Sequence, residues 1–155
     1  MPLHRFLLDG QCYHVTSPTW QRLPVFANSA NARVLLQAIQ FIRSDCRAYV
    51  LAYAIMPNHL HLVVVPREPC TLIQVMQTVK GFSAREINKG EGRSGSLWQQ
   101  SYYDRVIRSE EQLRATINYL HRNPVSDGLA ARPEDYEFSS AHPSATADLG
   151  SFFGS

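Results

Sequence analysis

The chain has 155 residues, 45% of them hydrophobic, and a formal net charge of only +2. That size and apolar content fit one domain with a real core and exclude global disorder, and the longest apolar run falls far short of the roughly 18 residues of a membrane span. Charge is divided unevenly: residues 1–123 hold fourteen Lys or Arg against eight Asp or Glu, net +6, whereas residues 124–155 hold one against five, net −4.

In chain order, Gln11–Thr16 is a short β-prone run closed by Ser17-Pro18 and reads as a strand. Asn28 to Asn31 offers helix N-caps, and Leu35, Ala38, Ile39 and Ile42 then recur at helical spacing, predicting a helix over 31–44. Residues 48–56 read as a second strand, Pro57-Asn58 as a turn, and 59–65 as a third strand, so that the last two form a hairpin. Thr71 with Gln74 makes a capping box, and Leu72, Val75, Met76, Val79 and Phe82 mark one face of a helix to about 88. Gly90–Ser96 is a glycine-rich loop without the closing GK[ST] of a P-loop. Tyr102–Arg108 reads as a fourth strand. Ser109 with Gln112 is a second capping box, opening a helix from 110 to about 123 that Pro124 is expected to stop. The order β-α-β-β-α-β plus a helix predicts an α+β fold: a ferredoxin-like (split βαβ) antiparallel sheet with two helices on one face, and a C-terminal helix besides. Residues 1–142 are expected to form the domain and 143–155 a short flexible tail.

Cys12, Cys46 and Cys70 are odd in number and form no CxxC, which argues against a zinc ribbon or a disulfide framework and suits reduced thiols in the cytoplasm. The N-terminal Met-Pro-Leu-His-Arg-Phe lacks a signal-peptide apolar region.

The third strand carries the most informative feature. In Ala54-Ile55-Met56-Pro57-Asn58-His59-Leu60-His61-Leu62-Val63, the period of two places His59 and His61 on one face of an otherwise apolar strand. Two same-face imidazoles are a candidate metal pair, against the bland reading of packed or surface histidines. On the last helix, Gln112, Thr116, Tyr119 and Asn123 share a face, with Tyr119 and Asn123 one turn apart. A phenol can act as nucleophile in covalent phosphoryl transfer, weakly at neutral pH unless helped. Neutral ligands His59, His61 and Asn123 would leave a bound cation its full charge to polarise a phosphodiester. Taken singly, Tyr119 also reads as core or surface filler and Asn123 as a helix stop.

Together these segments resemble the HUH single-tyrosine transposases, and among them the REP-associated branch. The matching stretches are Tyr13-His14-Val15-Thr16, Met56-Pro57-Asn58-His59-Leu60-His61-Leu62-Val63, Leu97-Trp98-Gln99-Gln100, Tyr103-Asp104-Arg105-Val106-Ile107-Arg108, Asn118-Tyr119-Leu120-His121-Arg122-Asn123-Pro124-Val125 and Tyr136-Glu137-Phe138-Ser139-Ser140-Ala141. The resemblance implies Tyr119 as nucleophile and His59, His61 and Asn123 as ligands of Mg²⁺ or Mn²⁺. It implies cleavage and rejoining of single-stranded DNA at hairpin sequences through a 5′-phosphotyrosine link. It implies a cytoplasmic, nucleoid-associated bacterial protein without membrane contact, monomer or homodimer. Lys80, Arg85, Lys89, Arg93, Trp98, Arg105, Arg108 and Arg122 are the expected DNA contacts, cations interleaved with rings on which bases stack. The alternatives are a non-catalytic hairpin DNA- or RNA-binding protein derived from a transposase, and a metal-dependent phosphohydrolase in which water attacks.

Overall fold

The structure, a computed structural model, describes residues 10–149. Four strands, β1 (Cys12–Pro18), β2 (Ala48–Met56), β3 (His59–Pro66) and β4 (Tyr103–Ile107), alternate with helices α1 (Ser29–Ser44), α2 (Leu72–Glu91) and α3 (Glu110–Ser126). The strands form one antiparallel sheet in the order β2-β3-β1-β4. β1 is inserted between β3 and β4, and β3 between β1 and β2, which is the split βαβ arrangement expected.

The two faces of the sheet are covered by different helices. Val15, Leu60, Leu62 and Val64 pack with the apolar stripes of α1 and α2 in one core. Cys12, Val63, Val65 and Ile107 pack with Leu113, Ile117 and Leu120 of α3 in the other. β2 is apolar on both sides, and a bulge between Val50 and Ala52 inserts Leu51 so that Leu51 and Ala52 both join the α3 core.

Caps set the helix ends. The Asn28 side chain accepts from the Ala30 N–H, starting α1 two residues earlier than its periodicity suggests. The Thr71–Gln74 and Ser109–Gln112 caps both form. α2 passes through Gly81 unbroken and runs on to Glu91, where Gly92 takes the left-handed conformation that ends it.

α3 does not stop at Asn123. Pro124 lies inside the last turn, buried, and the helix closes on Gly128 at φ 74°, with the Leu129 N–H donating to Pro124 O and the Gly128 N–H to Val125 O. These bonds, with the burial of the proline ring, offset the N–H that Pro124 lacks. Asn123 is therefore held within a helix, its carbonyl accepting from Asp127 at 3.0 Å, and is not a frayed end.

Residues 136–149 run along the outer edge of β2. The Ile55 N–H donates to Phe138 O and the Ser140 N–H to Tyr53 O, Tyr136 Oη donates to Ile55 O, and Asp148 accepts from the Val50 N–H and from Arg43. The first residues of the expected tail, 143–149, are thus tied to the domain, and they cover an edge that would otherwise offer unpaired backbone. Residues 150–155, and the N-terminal segment read for a signal, lie outside the described residues. All three cysteines are free, and among the described residues no helix is long and apolar enough to cross a membrane.

Candidate functional site

Strand register assembles the site before any side chain is considered. Thr16 pairs with His61, Pro18 with His59, His14 with Arg105, and Thr16 with Tyr103. Directly opposed residues share a face, so His14, Thr16, His59, His61, Tyr103 and Arg105 all look toward α3. The apolar half of that face is sealed by Leu113, Ile117 and Leu120, and the polar half is left at its open end.

The two imidazoles stand with centroids 4.8 Å apart and planes at 88°. His59 Nε2 lies 3.3 Å from Asn123 Oδ1, and its Nδ1 lies 2.7 Å from Asn58 Oδ1. Asn123 also lies near enough to His61 to favour its protonated form, so one carboxamide faces both rings. His61 is only 4% exposed; its Nδ1 sits 3.1 Å from His14 Nε2 and 3.3 Å from Thr16 Oγ1. The Tyr119 ring, 57% exposed, stands edge-on to His61 at 5.6 Å and to His14 at 6.4 Å between centroids. One helical turn separates it from Asn123, which explains why a single rigid element presents both.

Electrostatics keep the imidazoles neutral. Burial pulls His61 down to about 3, with the neighbouring His59 and His14 adding to the effect. Burial and then Arg105 bring His14 to about 4. His59 is lowered by burial too, opposed in part by its bond to Asn123. Neutral imidazole nitrogens and an amide oxygen converging from two elements make a donor set that fits a divalent cation, with room for phosphate oxygens or water in the remaining positions. Among the described residues no group of three His, Cys, Asp or Glu side chains is placed to hold a metal; the candidate set here needs the amide.

Beside the Tyr119 ring opens a cavity of about 610 Å³, lined among others by His14, Thr16, Tyr103, Arg105, Thr116 and Tyr119. Arg105 donates a long 3.4 Å bond to Thr116 Oγ1 and forms no ion pair among the described residues. Tyr103 is 70% exposed at the open edge of β4.

Of the expected DNA contacts, Arg105 is brought to the site, Arg122 is exposed on α3, and Arg108 is exposed just past the end of β4. The other five are engaged elsewhere or lie away from the histidines. Trp98 is a core residue: its ring packs on Phe26 and its Nε1 donates to Ser83 Oγ at 3.0 Å, so it offers no face to a base. Lys80 donates to Gln99 O and Gln100 O and covers the Tyr102 ring, holding the segment before β4 in place. Arg85 and Lys89 are exposed on α2, the layer across the sheet from the histidines. Arg93 pairs with Glu91 beside the end of α2.

His14 is the functional candidate that single-residue reasoning passed over. The alternation Cys12, His14, Thr16 places it on one face of β1, but only the register with β3 sets it against His61.

The fold and site together define a ferredoxin-like domain in which a strand-borne histidine pair faces an exposed, helix-borne tyrosine. The chain belongs to the IS200-like transposase family, whose model matches residues 9–123. It is similar to the REP-associated tyrosine transposase of Escherichia coli K12, 25% identical over 115 residues, covering 71% of this chain and 64% of that one. A Haemophilus influenzae protein named for the same group is 23% identical over 120 residues, covering 69% and 68%. The chain thus spans about two thirds of these relatives. Its fold matches a REP-associated tyrosine transposase solved bound to a REP hairpin, with TM-score 0.70 at 20% identity, covering 86% of this chain and 78% of that one. A transposase-like protein of Deinococcus radiodurans matches with TM-score 0.53 at 22% identity, covering 76% and 89%.

Proposed function

We propose that the protein is a metal-dependent single-stranded DNA endonuclease and strand transferase acting at hairpin, REP-like sequences through Tyr119. The observation that carries the reading is the exposed Tyr119 phenol standing over His61 while Asn123, one turn along the same helix, bonds His59. Membership of a transposase family and likeness to a protein solved with a REP hairpin support it.

His59, His61 and Asn123 would hold Mg²⁺ or Mn²⁺, which when bound would polarise the phosphodiester and offset charge building on its oxygens. His61 Nδ1 lies 3.1 Å from His14 Nε2 and 3.3 Å from Thr16 Oγ1; with Nδ1 as the N–H donor in this pair, Nε2 is left as the ligand nitrogen, and His14 orients the ring for that role. Tyr119 Oη attacks phosphorus. The Oη–P bond forms as the P–O3′ bond breaks, and the phenolic proton passes through solvent to the departing 3′-oxygen. The products are a 5′-phosphotyrosine and a free 3′-OH, and the stored phosphoester bond allows rejoining by the reverse attack. The cavity beside Tyr103 and Arg105 receives the neighbouring nucleotide, Tyr103 by stacking and Arg105 by charge. Arg122, exposed on α3, extends the basic surface on the same side.

The test is incubation of a labelled single-stranded hairpin oligonucleotide with the protein and Mn²⁺. A covalent adduct is expected, absent in Tyr119→Phe. Binding without an adduct would favour the non-catalytic hairpin binder, and cleavage that survives Tyr119→Phe the phosphohydrolase.

A further inference from the structure

Immediately after β1 the backbone does something costly. Gln21 and Arg22 have φ of 53° and 54°, consecutive left-handed conformations at residues that carry a Cβ. A turn whose whole task was to reverse the chain would be served by glycine at both positions. Instead the loop is pinned. Thr19, fully buried, donates its N–H to Asn58 O at 3.0 Å and its hydroxyl to Leu23 O at 2.7 Å and Asn58 O at 3.1 Å. The Trp20 N–H donates to Leu97 O and the Phe26 N–H to Pro57 O. Strain held this firmly is found where it positions side chains for use.

The side chains it positions are Trp20, 40% exposed, the exposed Leu23, and Arg22. The loop is fastened to Asn58, the residue whose side chain holds His59, so its place relative to the imidazoles is fixed. Pro18 pairs with His59 and the Thr19 N–H bonds Asn58 O, so Arg22 is carried on a loop that leaves the sheet at its histidine end. Arg22 forms no ion pair among the described residues. An exposed guanidinium outside any ion pair, carried at the histidine end of the sheet, is free to take a backbone phosphate of a strand that reaches the imidazoles. The indole next to it is a flat apolar surface open to water, suited to an unstacked base.

We propose that the strained loop 19–23 is a second nucleotide subsite, in which Arg22 takes a backbone phosphate and Trp20 stacks a base of the single strand entering or leaving the histidine site at the β1 end. It rests on the strand-cleavage reading above and deepens it. The cavity at Tyr103 and Arg105 and the loop at Trp20 and Arg22 then flank the reacting phosphate from two sides.

The chain contains two tryptophans, Trp20 exposed and Trp98 buried, so fluorescence separates them. The probes are an oligothymidine strand and a hairpin with oligothymidine tails. Wild-type emission should be quenched on binding either probe, and the quench should vanish in Trp20→Phe. Arg22→Ala should weaken binding by roughly three- to tenfold and lower the slope of log affinity against log salt by about one. Thermal unfolding of both variants should match wild type, since both side chains are exposed. If wild type binds the probes while Trp20→Phe keeps the full quench and Arg22→Ala keeps affinity and slope, the loop subsite is wrong and the cleavage reading stands. If wild type binds neither probe, both fall.

Discussion

On β3, Leu60, Leu62 and Val64 point to one side of the sheet and His59, His61 and Val63 to the other, and the two sides are covered very differently. The first lies under two helices whose apolar stripes seal it. The second lies under one, and α3 seals only the Val63 end, leaving the histidine end at a mouth that Tyr119 borders. A single strand thus contributes to a dry core on one face and to a polar site on the other, and the rigidity of the first holds the geometry of the second. The buried polar face is stabilised by mutual bonds among His14, His61 and Thr16 and by the amide of Asn123, in keeping with the rule that buried polar groups need partners.

The contrast can be broken most sharply by neighbouring substitutions on that strand. His61→Ala should abolish adduct formation while leaving hairpin affinity within a few-fold of wild type, as read by gel and by fluorescence anisotropy. Leu62→Ala should do the reverse, removing about 2–5 kcal/mol of stability in urea unfolding while the protein that remains folded still cleaves. Equal loss of cleavage and binding in His61→Ala would mean that the histidines serve the fold alone.

A smaller effect follows from the buried imidazoles. Unfolded, a histidine titrates near 6.5; folded, His14 falls to about 4 and His61 to about 3. Their neutral forms therefore contribute stability that is complete above pH 6.5 and drains as pH falls through that value toward 4 and 3. Thermal unfolding of the metal-free protein should show Tm dropping between pH 7.5 and pH 5, and His14→Gln should flatten the drop. A slope unchanged in the variant would mean that His14 does not titrate in this window.

The least effect separates the two helical layers. Arg105→Ala should lower the salt dependence of DNA binding by about one unit of slope, whereas Lys80→Ala should leave it unchanged, its ammonium already being spent on Gln99 O and Gln100 O. Equal reductions would put DNA on the α2 layer as well.

Legibility followed the range of the interactions. The capping boxes, the helical stripes, the His59–His61 alternation and the Tyr119–Asn123 spacing are all local and were readable from residue order. Trp98 reads equally well as a stacking platform or as core, and its bond to Ser83 and contact with Phe26 decided for the core. Pro124 reads as a stop, and the Gly128 closure and burial of its ring carried the helix past it. Nothing in residues 19–23 marks two left-handed residues, because neither Gln nor Arg favours that conformation.

By itself, then, the sequence determined the kind and order of the elements, the face shared by the two histidines and the face shared by phenol and carboxamide, since those depend only on periods of 2 and 3.6 residues. Tertiary structure alone decided that α3 lies over the histidine face, that His14 joins His61 from a strand 47 residues away in sequence, and that the loop carrying Arg22 is bonded to Asn58 at the histidine end of the sheet. The physical reason is that cross-strand register and burial arise between segments far apart along the chain, and no local repeat encodes which distant partner a residue will meet.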